Sequence, residues 1–306
     1  MINYSVIIPQ HNCAELTKRC IQSIPDRDDI QIVIVDDNSS VPNHLKSVES
    51  ELRRNNATFI YTVEGRGAGY ARNVGIENAV GKWLIFADAD DFFTEDAFDV
   101  FDKYKESDND IVYFFHTSVY SDTLEPCLRY ESRNEYLCAY LKRPSQKTED
   151  EMKYADVVPW AKMFKKALVD EKKQRFDEVP ASNDVTFVSH MAYYSQKIEL
   201  CDKTVYKLTY RKGSITRVKN KTNELSRFKV CLRFNQFLKE IGCKRLRNRI
   251  LSRVWIAYKY FGFKEALLYV KLAHQSGQSI FTGLWPDYES VKNKIRLLLD
   301  KNAYQG

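Results

Sequence analysis

None of the seven cysteines (Cys13, Cys20, Cys127, Cys138, Cys201, Cys231 and Cys243) stands in a C-x-x-C pair. That excludes a zinc ribbon and a dithiol redox motif, and leaves seven thiols that read as buried apolar residues. No apolar run approaches the ~18 residues of a membrane-spanning helix. The amino terminus, Met-Ile-Asn-Tyr-Ser-Val-Ile-Ile, lacks the basic region and long apolar stretch of a secretory signal, so the chain is expected in the cytoplasm. The turn after the first apolar run carries no G-x-G-x-x-G, which sets aside a dinucleotide-dependent dehydrogenase. Internal repeats and low-complexity linkers are also missing.

What is present suits a globular chain of one large domain or two unequal ones: 306 residues, 44% hydrophobic and 29% charged. The net charge of +6 is mild and compatible with nucleic acid, phosphate-bearing ligands or an anionic membrane surface. Strand-like runs cover residues 4–8, 31–35, 58–62, 82–87 and 110–115, with helical periodicity between them, as in Leu16, Cys20, Ile21 and Ile24. Several strands are continuous apolar runs, expected where helices cover both faces of a mainly parallel sheet, so the first ~120 residues read as doubly wound α/β. Residues 124–180 give a weaker signal, with helices expected over 133–142 and 165–173, and 203–210 reads as a strand. Beyond Thr216, apolar residues recur at helical spacing (Leu225, Phe228, Leu232; Leu246, Ile250, Val254, Tyr258, Phe261; Val291, Ile295, Leu298), which predicts a helical extension over 217–306.

In an open α/β sheet, ligands bind beyond the carboxyl ends of the strands, near the point where strand order reverses. The polar residues with chemical potential gather at those ends: Pro9-Gln10-His11-Asn12, Asp36-Asp37-Asn38-Ser39-Ser40 and Asp88-Ala89-Asp90-Asp91. Taken singly, each serves equally well as a turn and helix cap, a satisfied imidazole, or an acidic helix start near Glu95. Three carboxylates crowded at 88, 90 and 91 cost stability unless a cation lies among them. Hard oxygen ligands suit magnesium or manganese, and an ion held by few protein groups fills its shell with substrate phosphates. Gly65-Arg66-Gly67-Ala68-Gly69, followed by Arg72, offers flexible backbone and guanidinium groups for such a phosphate, or simply a tight loop.

Spacing tests two other acidic motifs. An EF-hand starting at Asp88 would need glycine where Phe93 stands and glutamate where Asp99 stands, and it fails on both. A haloacid-dehalogenase-type phosphatase also begins D-x-D after an apolar strand, but it wants threonine or valine where Phe92 stands. That phosphohydrolase stays as a rival.

Taken in order and spacing, Ser5-Val-Ile-Ile-Pro-Gln-His-Asn12, Val35-Asp-Asp-Asn-Ser39, Ala71-Arg-Asn73 and Phe86-Ala-Asp-Ala-Asp-Asp91 resemble the inverting glycosyltransferases of family 2. The likeness continues through Trp160-Ala-Lys-Met-Phe-Lys165, Phe176-Asp-Glu178, Asn183-Asp184 and Arg211-Lys-Gly-Ser-Ile-Thr216, covering residues 1–216. It implies a GT-A fold that binds a nucleoside-diphosphate sugar, UDP favoured, with Mn2+ or Mg2+. One sugar would pass to a hydroxyl of a growing polysaccharide or lipid-linked glycan of bacterial type.

By position, Pro9, His11 and Asp37 would line the base and ribose pocket. Asn12, Arg72, Asp88, Ala89 and Arg211 would also face the donor, and Asp90 would be the metal ligand. Asp91 and Trp160 fall on the acceptor side, and Asp184 matches the general base. Three positions depart from the resemblance: His11 where tyrosine is usual, Asn38 for glycine, and Asn183 for the frequent glutamate before the base.

The helical extension lies outside the resemblance. Between Lys203 and Lys259 basic residues abound, including Arg245, Arg247, Arg249 and Arg253, while acids are nearly limited to Glu224 and Glu240. With Trp255, Tyr258, Tyr260 and Phe261 this face suits peripheral contact with anionic lipid on the inner membrane face, or else a solvated surface over a packed helical pair. Nucleic acid is not expected, since no recognised module accompanies the charge. A donor-binding or assembly subunit without turnover is the alternative to an enzyme, and intact Asp37, Asp90 and Asp184 argue against it.

Overall fold

A computed structural model describes residues 1–127, 131–210 and 219–284. The described residues fall in two compact units, Met1–Val218 and Lys219–Gly306. The boundary expected at 216/217 lies outside the described residues, as do Arg211 and the apolar set at Val291, Ile295 and Leu298.

The first unit runs β1 (Tyr4–Gln10), α1 (Ala14–Gln22), β2 (Ile30–Asp36), α2 (Pro42–Leu52), β3 (Ala57–Tyr61), α3 (Ala68–Asn78), β4 (Trp83–Phe86), β5 (Phe92–Phe93), α4 (Ala97–Asp102) and β6 (Ile111–Tyr120). It continues with α5 (Glu131–Lys142), α6 (Gln146–Ala155), β7 (Lys162–Lys165), α7 (Lys166–Glu171), α8 (Val185–Tyr194) and β8 (Ile198–Tyr210). The strands form one eight-stranded sheet in the order β3-β2-β1-β4-β7-β6-β8-β5. β1 to β4 are parallel, β7 is inserted antiparallel between β4 and β6, and β5 caps β8 antiparallel. This is the mainly parallel, doubly wound architecture that the apolar runs predict.

The central strands are buried on both faces: every residue of β1 and β4 is buried, which is why β4 and the middle of β1, Val6 to Pro9, are apolar without alternation. Pairing of β1 with β4 ends at Ile7 opposite Phe86, so β1 projects three residues, Ile8 to Gln10, beyond its neighbour. Pro9, which has no N–H to donate, sits in that overhang. The crevice where the strand order reverses therefore opens beside the carboxyl ends of β1, β2 and β4. Helix α3 packs onto β1 through missing side chains, since a Cβ on Gly75 would lie 2.3 Å from Ile7 Cγ2.

The helix expected over 165–173 is α7, Lys166–Glu171. The strand before it, β7, is not foreshadowed by the sequence pattern: Met163 and Phe164 are wholly buried, and pairing with β4 and β6 makes Lys162–Lys165 a strand.

The second unit contains α9 (Lys221–Glu240), a 3-10 turn (Lys244–Leu246), α10 (Ile250–Phe261) and α11 (Phe263–Gln275). Asn220 caps α9 through its side-chain oxygen, accepting from the N–H groups of Thr222 and Asn223. Phe228, Leu232, Ile250, Ala257, Tyr269 and Ala273 form its core, with Phe228 stacked on Tyr269 at 4.3 Å.

Candidate active site

The carboxyl ends of β1 and β2 are tied together by short side chains. Asp36, buried, accepts from Gln10 Nε2 at 2.6 Å and from Ser39 Oγ at 2.5 Å. Asp37, beside it, faces the glycine-rich loop instead: its oxygens accept the N–H groups of Arg66 at 3.0 Å and Gly67 at 2.7 Å. His11 Nδ1 lies 2.9 Å from the Asp37 carbonyl and its Nε2 lies 2.8 Å from Asn12 Nδ2. Since the carbonyl accepts and the amide donates, His11 is the Nδ1–H tautomer. Asn38 adopts φ 55°, which accounts for the glycine usual at that position in the resemblance, and asparagine tolerates this region better than most residues.

Asp88 to Asp91 form the turn after β4, with Asp91 N–H donating to Asp88 O at 3.0 Å. The three carboxylates are sorted by their partners. Arg72, buried on α3, donates through Nη2 to Asp88 at 2.6 Å and through Nη1 to Asn183 Oδ1 at 2.8 Å. Asp91 points inward, 3% exposed, and accepts from Tyr206 OH at 3.1 Å and Thr209 N–H at 2.7 Å. Burial, then the charges of Asp90 and Asp88, push its pKa well up. The Asp90 carbonyl accepts from Arg19 and from Thr209 Oγ1, each at 2.7 Å, while Ala89 is packed into the core. Tyr206 is a hub that no sequence pattern marks: its hydroxyl also accepts the Asp88 N–H at 2.9 Å, and its ring stacks on Trp160 at 5.7 Å and 5°. Trp160 is 4% exposed and meets His116 edge-on at 4.7 Å, so it is a wall of the core as much as of any pocket.

Asp184 stands at the N-cap of α8 and is half-buried, yet its side chain makes no capping hydrogen bond to the helix. Its pKa is raised above the usual carboxylate value, by burial first and by Asp88 in addition, with Arg72 opposing. Asn183, where the resemblance has a glutamate, gives Arg72 a neutral acceptor, and so links the Asn183–Asp184 loop to the acidic turn through one guanidinium. Close approach holds that loop against α3, because a Cβ on Gly69 would lie 2.1 Å from the Asp177 carbonyl. Arg66 pairs with Glu178, and Asn73 exchanges hydrogen bonds with the Phe176 backbone at 3.0 and 2.8 Å.

The first unit also holds a buried ionic cluster that the sequence did not signal. Lys162, 2% exposed, donates to Asp156 at 3.1 Å and to Val158 O at 2.9 Å, and Arg133 donates to the same carboxylate at 2.8 Å.

Among the described residues, no three His, Cys, Asp or Glu side chains converge as a ready-made metal cage. The donor set still fits a hard divalent ion. Asp91 has its oxygens engaged inward, so the residues that would hold such an ion are Asp90 and Asp88, too few to close an octahedral shell without a diphosphate and water.

Residues 5–172, more than half of the chain, match the family Glycosyl transferase family 2. The chain belongs to that family. Two curated relatives are glycosyltransferase GlyA of Streptococcus pneumoniae (24% identical over 234 residues, 70% of this chain and 31% of the relative) and the GalNAc(5)-diNAcBac-PP-undecaprenol beta-1,3-glucosyltransferase of Campylobacter jejuni (25% over 287 residues, 89% and 84%). The chain thus spans about a third of GlyA. A crystal structure of S. aureus TarS in complex with UDP-GlcNAc shares the fold, with TM-score 0.68 at 18% identity over 90% of this chain and 80% of that one. The sheet and its flanking helices accordingly have the GT-A fold, and family membership removes the phosphohydrolase rival.

Proposed function

We propose that this family 2 protein is an inverting glycosyltransferase. Its donor is read as a nucleoside-diphosphate sugar, UDP favoured, and its acceptor as a hydroxyl of a polysaccharide or lipid-linked glycan in the cytoplasm. The observation that carries the proposal is the Arg72 bridge: one guanidinium spans Asp88 on the acidic turn and Asn183 next to Asp184, bringing a donor-facing turn and a candidate base into one site. TarS holds UDP-GlcNAc on this fold, and one relative carries PP-undecaprenol in its name, which supports the donor and acceptor classes respectively.

In this reading Asp37, His11 and Pro9 bind the base and ribose, while Asp88 and Arg72 orient the sugar and diphosphate. Asp184 takes the proton of the acceptor hydroxyl. That oxygen bonds to the anomeric carbon as the opposite bond to the diphosphate breaks, which inverts the centre. Raising the pKa of a carboxylate strengthens it as a base, which is the direction found at Asp184. A divalent ion held by Asp90 would offset the charge that builds on the leaving diphosphate.

The test is calorimetric titration of UDP with and without manganese, for the native chain and Asp90→Ala. Metal-dependent binding lost in the variant is expected. Silence towards UDP, GDP and TDP alike would remove the donor-site reading and favour the non-catalytic subunit.

A further inference from the structure

The second unit carries two apolar faces where a solvated helical pair needs one. The inner face is its core, with Ile250 and Ala257 on α10 and Tyr269 and Ala273 on α11. The outer face is a groove of about 640 Å³ along both helices, to which Leu251, Trp255 and Tyr258 contribute from α10 and Phe263, Leu267 and Val270 from α11. Each triplet repeats at i, i+4, i+7, so each is one continuous stripe. The stripes are open: Trp255 is 60% exposed, Phe263 66% and Leu267 51%. A helix that is apolar on both its packed and its outer side has a second burial still to make.

Charge identifies what covers it. Residues 241–284 contain eight cations (Lys244, Arg245, Arg247, Arg249, Arg253, Lys259, Lys264 and Lys271) and one acid, Glu265. That acid is buried and paired with Lys221, so it does not soften the surface. Arg249 lines the groove itself, and exposed Lys259 and Lys271 stand one turn beyond Trp255 and Leu267. Aromatic and aliphatic side chains rimmed by lysine and arginine are the composition of a surface that sinks into the headgroup layer of an anionic bilayer. No helix among the described residues is long and apolar enough to cross a membrane.

We propose that the α10–α11 face is a peripheral membrane-docking surface, with Trp255, Phe263 and Leu267 inserted among acyl chains and Arg249, Lys259 and Lys271 on anionic headgroups. The inference goes beyond the donor-site reading and does not rest on it. A nucleotide-binding failure would leave it standing.

The experiment is sedimentation of the full chain with vesicles of phosphatidylcholine, with and without phosphatidylglycerol, together with tryptophan emission. Trp83 and Trp160 are buried, so a blue shift on phosphatidylglycerol vesicles that disappears in Trp255→Phe and persists in Trp285→Phe locates insertion at this face. Added salt should weaken binding, and Lys259→Gln with Lys271→Gln should weaken it about 25-fold, at roughly fivefold per charge. Phe263→Asp should abolish it with circular dichroism unchanged. Equal binding to neutral vesicles, or no binding at all, overturns the proposal. So does a dimer in light scattering that Phe263→Asp dissolves, since the groove would then be covered by a second copy.

Discussion

Lys162 offers the sharpest test of how the interior of the first unit is held. Its ammonium is buried, with Asp156 at 3.1 Å, Val158 O at 2.9 Å and the Tyr113 ring face at 5.3 Å. Replacing it with methionine keeps the stem and deletes the charge, leaving Asp156, 3% exposed, with Arg133 alone. Breaking a buried pair costs about 3–5 kcal/mol, and the remaining arginine places this case near 3. For a unit of this size, that lowers the melting temperature by about 6–12 °C.

Urea unfolding at pH 7 should show the loss as a lower midpoint with an unchanged slope. The double variant Lys162→Met with Asp156→Leu should recover much of it, because no buried charge is then stranded. Burial alone would raise the Asp156 pKa, but Lys162 and Arg133 hold it below the usual carboxylate value. A depressed carboxylate adds stability above its unfolded pKa and loses it as pH falls through the folded one. Lys162→Met weakens that hold, so acid unfolding should begin at higher pH. A single variant within about 0.5 kcal/mol of the native chain would refute the reasoning.

Further outcomes concern Asp184 and helix α3. Asp184→Asn should cut kcat by about 10²–10⁴ while leaving UDP affinity intact, and the native kcat/KM should climb with pH through the raised pKa of Asp184 and then level off. Arg72→Gln removes the cation that opposes the shift, so its residual activity should need a higher pH. Gly69→Ala forces a Cβ onto the Asp177 carbonyl and against Asn183, at a cost of about 1–3 kcal/mol readable by urea titration.

The parallel half of the sheet was legible because strands covered on both faces need continuous apolar runs, and Val6 to Pro9 in β1, Ile32 to Val35 in β2 and the whole of β4 supply them. β7 was not, since Lys-Met-Phe-Lys carries its own lysines and becomes a strand only when β4 and β6 flank it. The acidic turn could be named from its spacing and Asp184 from the family resemblance, but their hydrogen-bond partners could not. These include Tyr206 and Arg72, which meet the turn from β8 and α3. Arg133, Asp156 and Lys162 lie up to 29 residues apart, and charged residues in isolation read as surface. In the second unit, the Phe261-Gly262-Phe263 junction ends one helix and starts another, a break hidden by apolar residues on both sides.

Helix α3 holds its arginine through two absent side chains, Gly69 against the Asp177 backbone and Gly75 against Ile7. For an engineer seeking a new donor preference, this makes α3 the least forgiving element of the site: almost any added atom moves a helix backbone, and Arg72 with it. Exposed His11 carries no such packing constraint, and it is where a substitution library should begin.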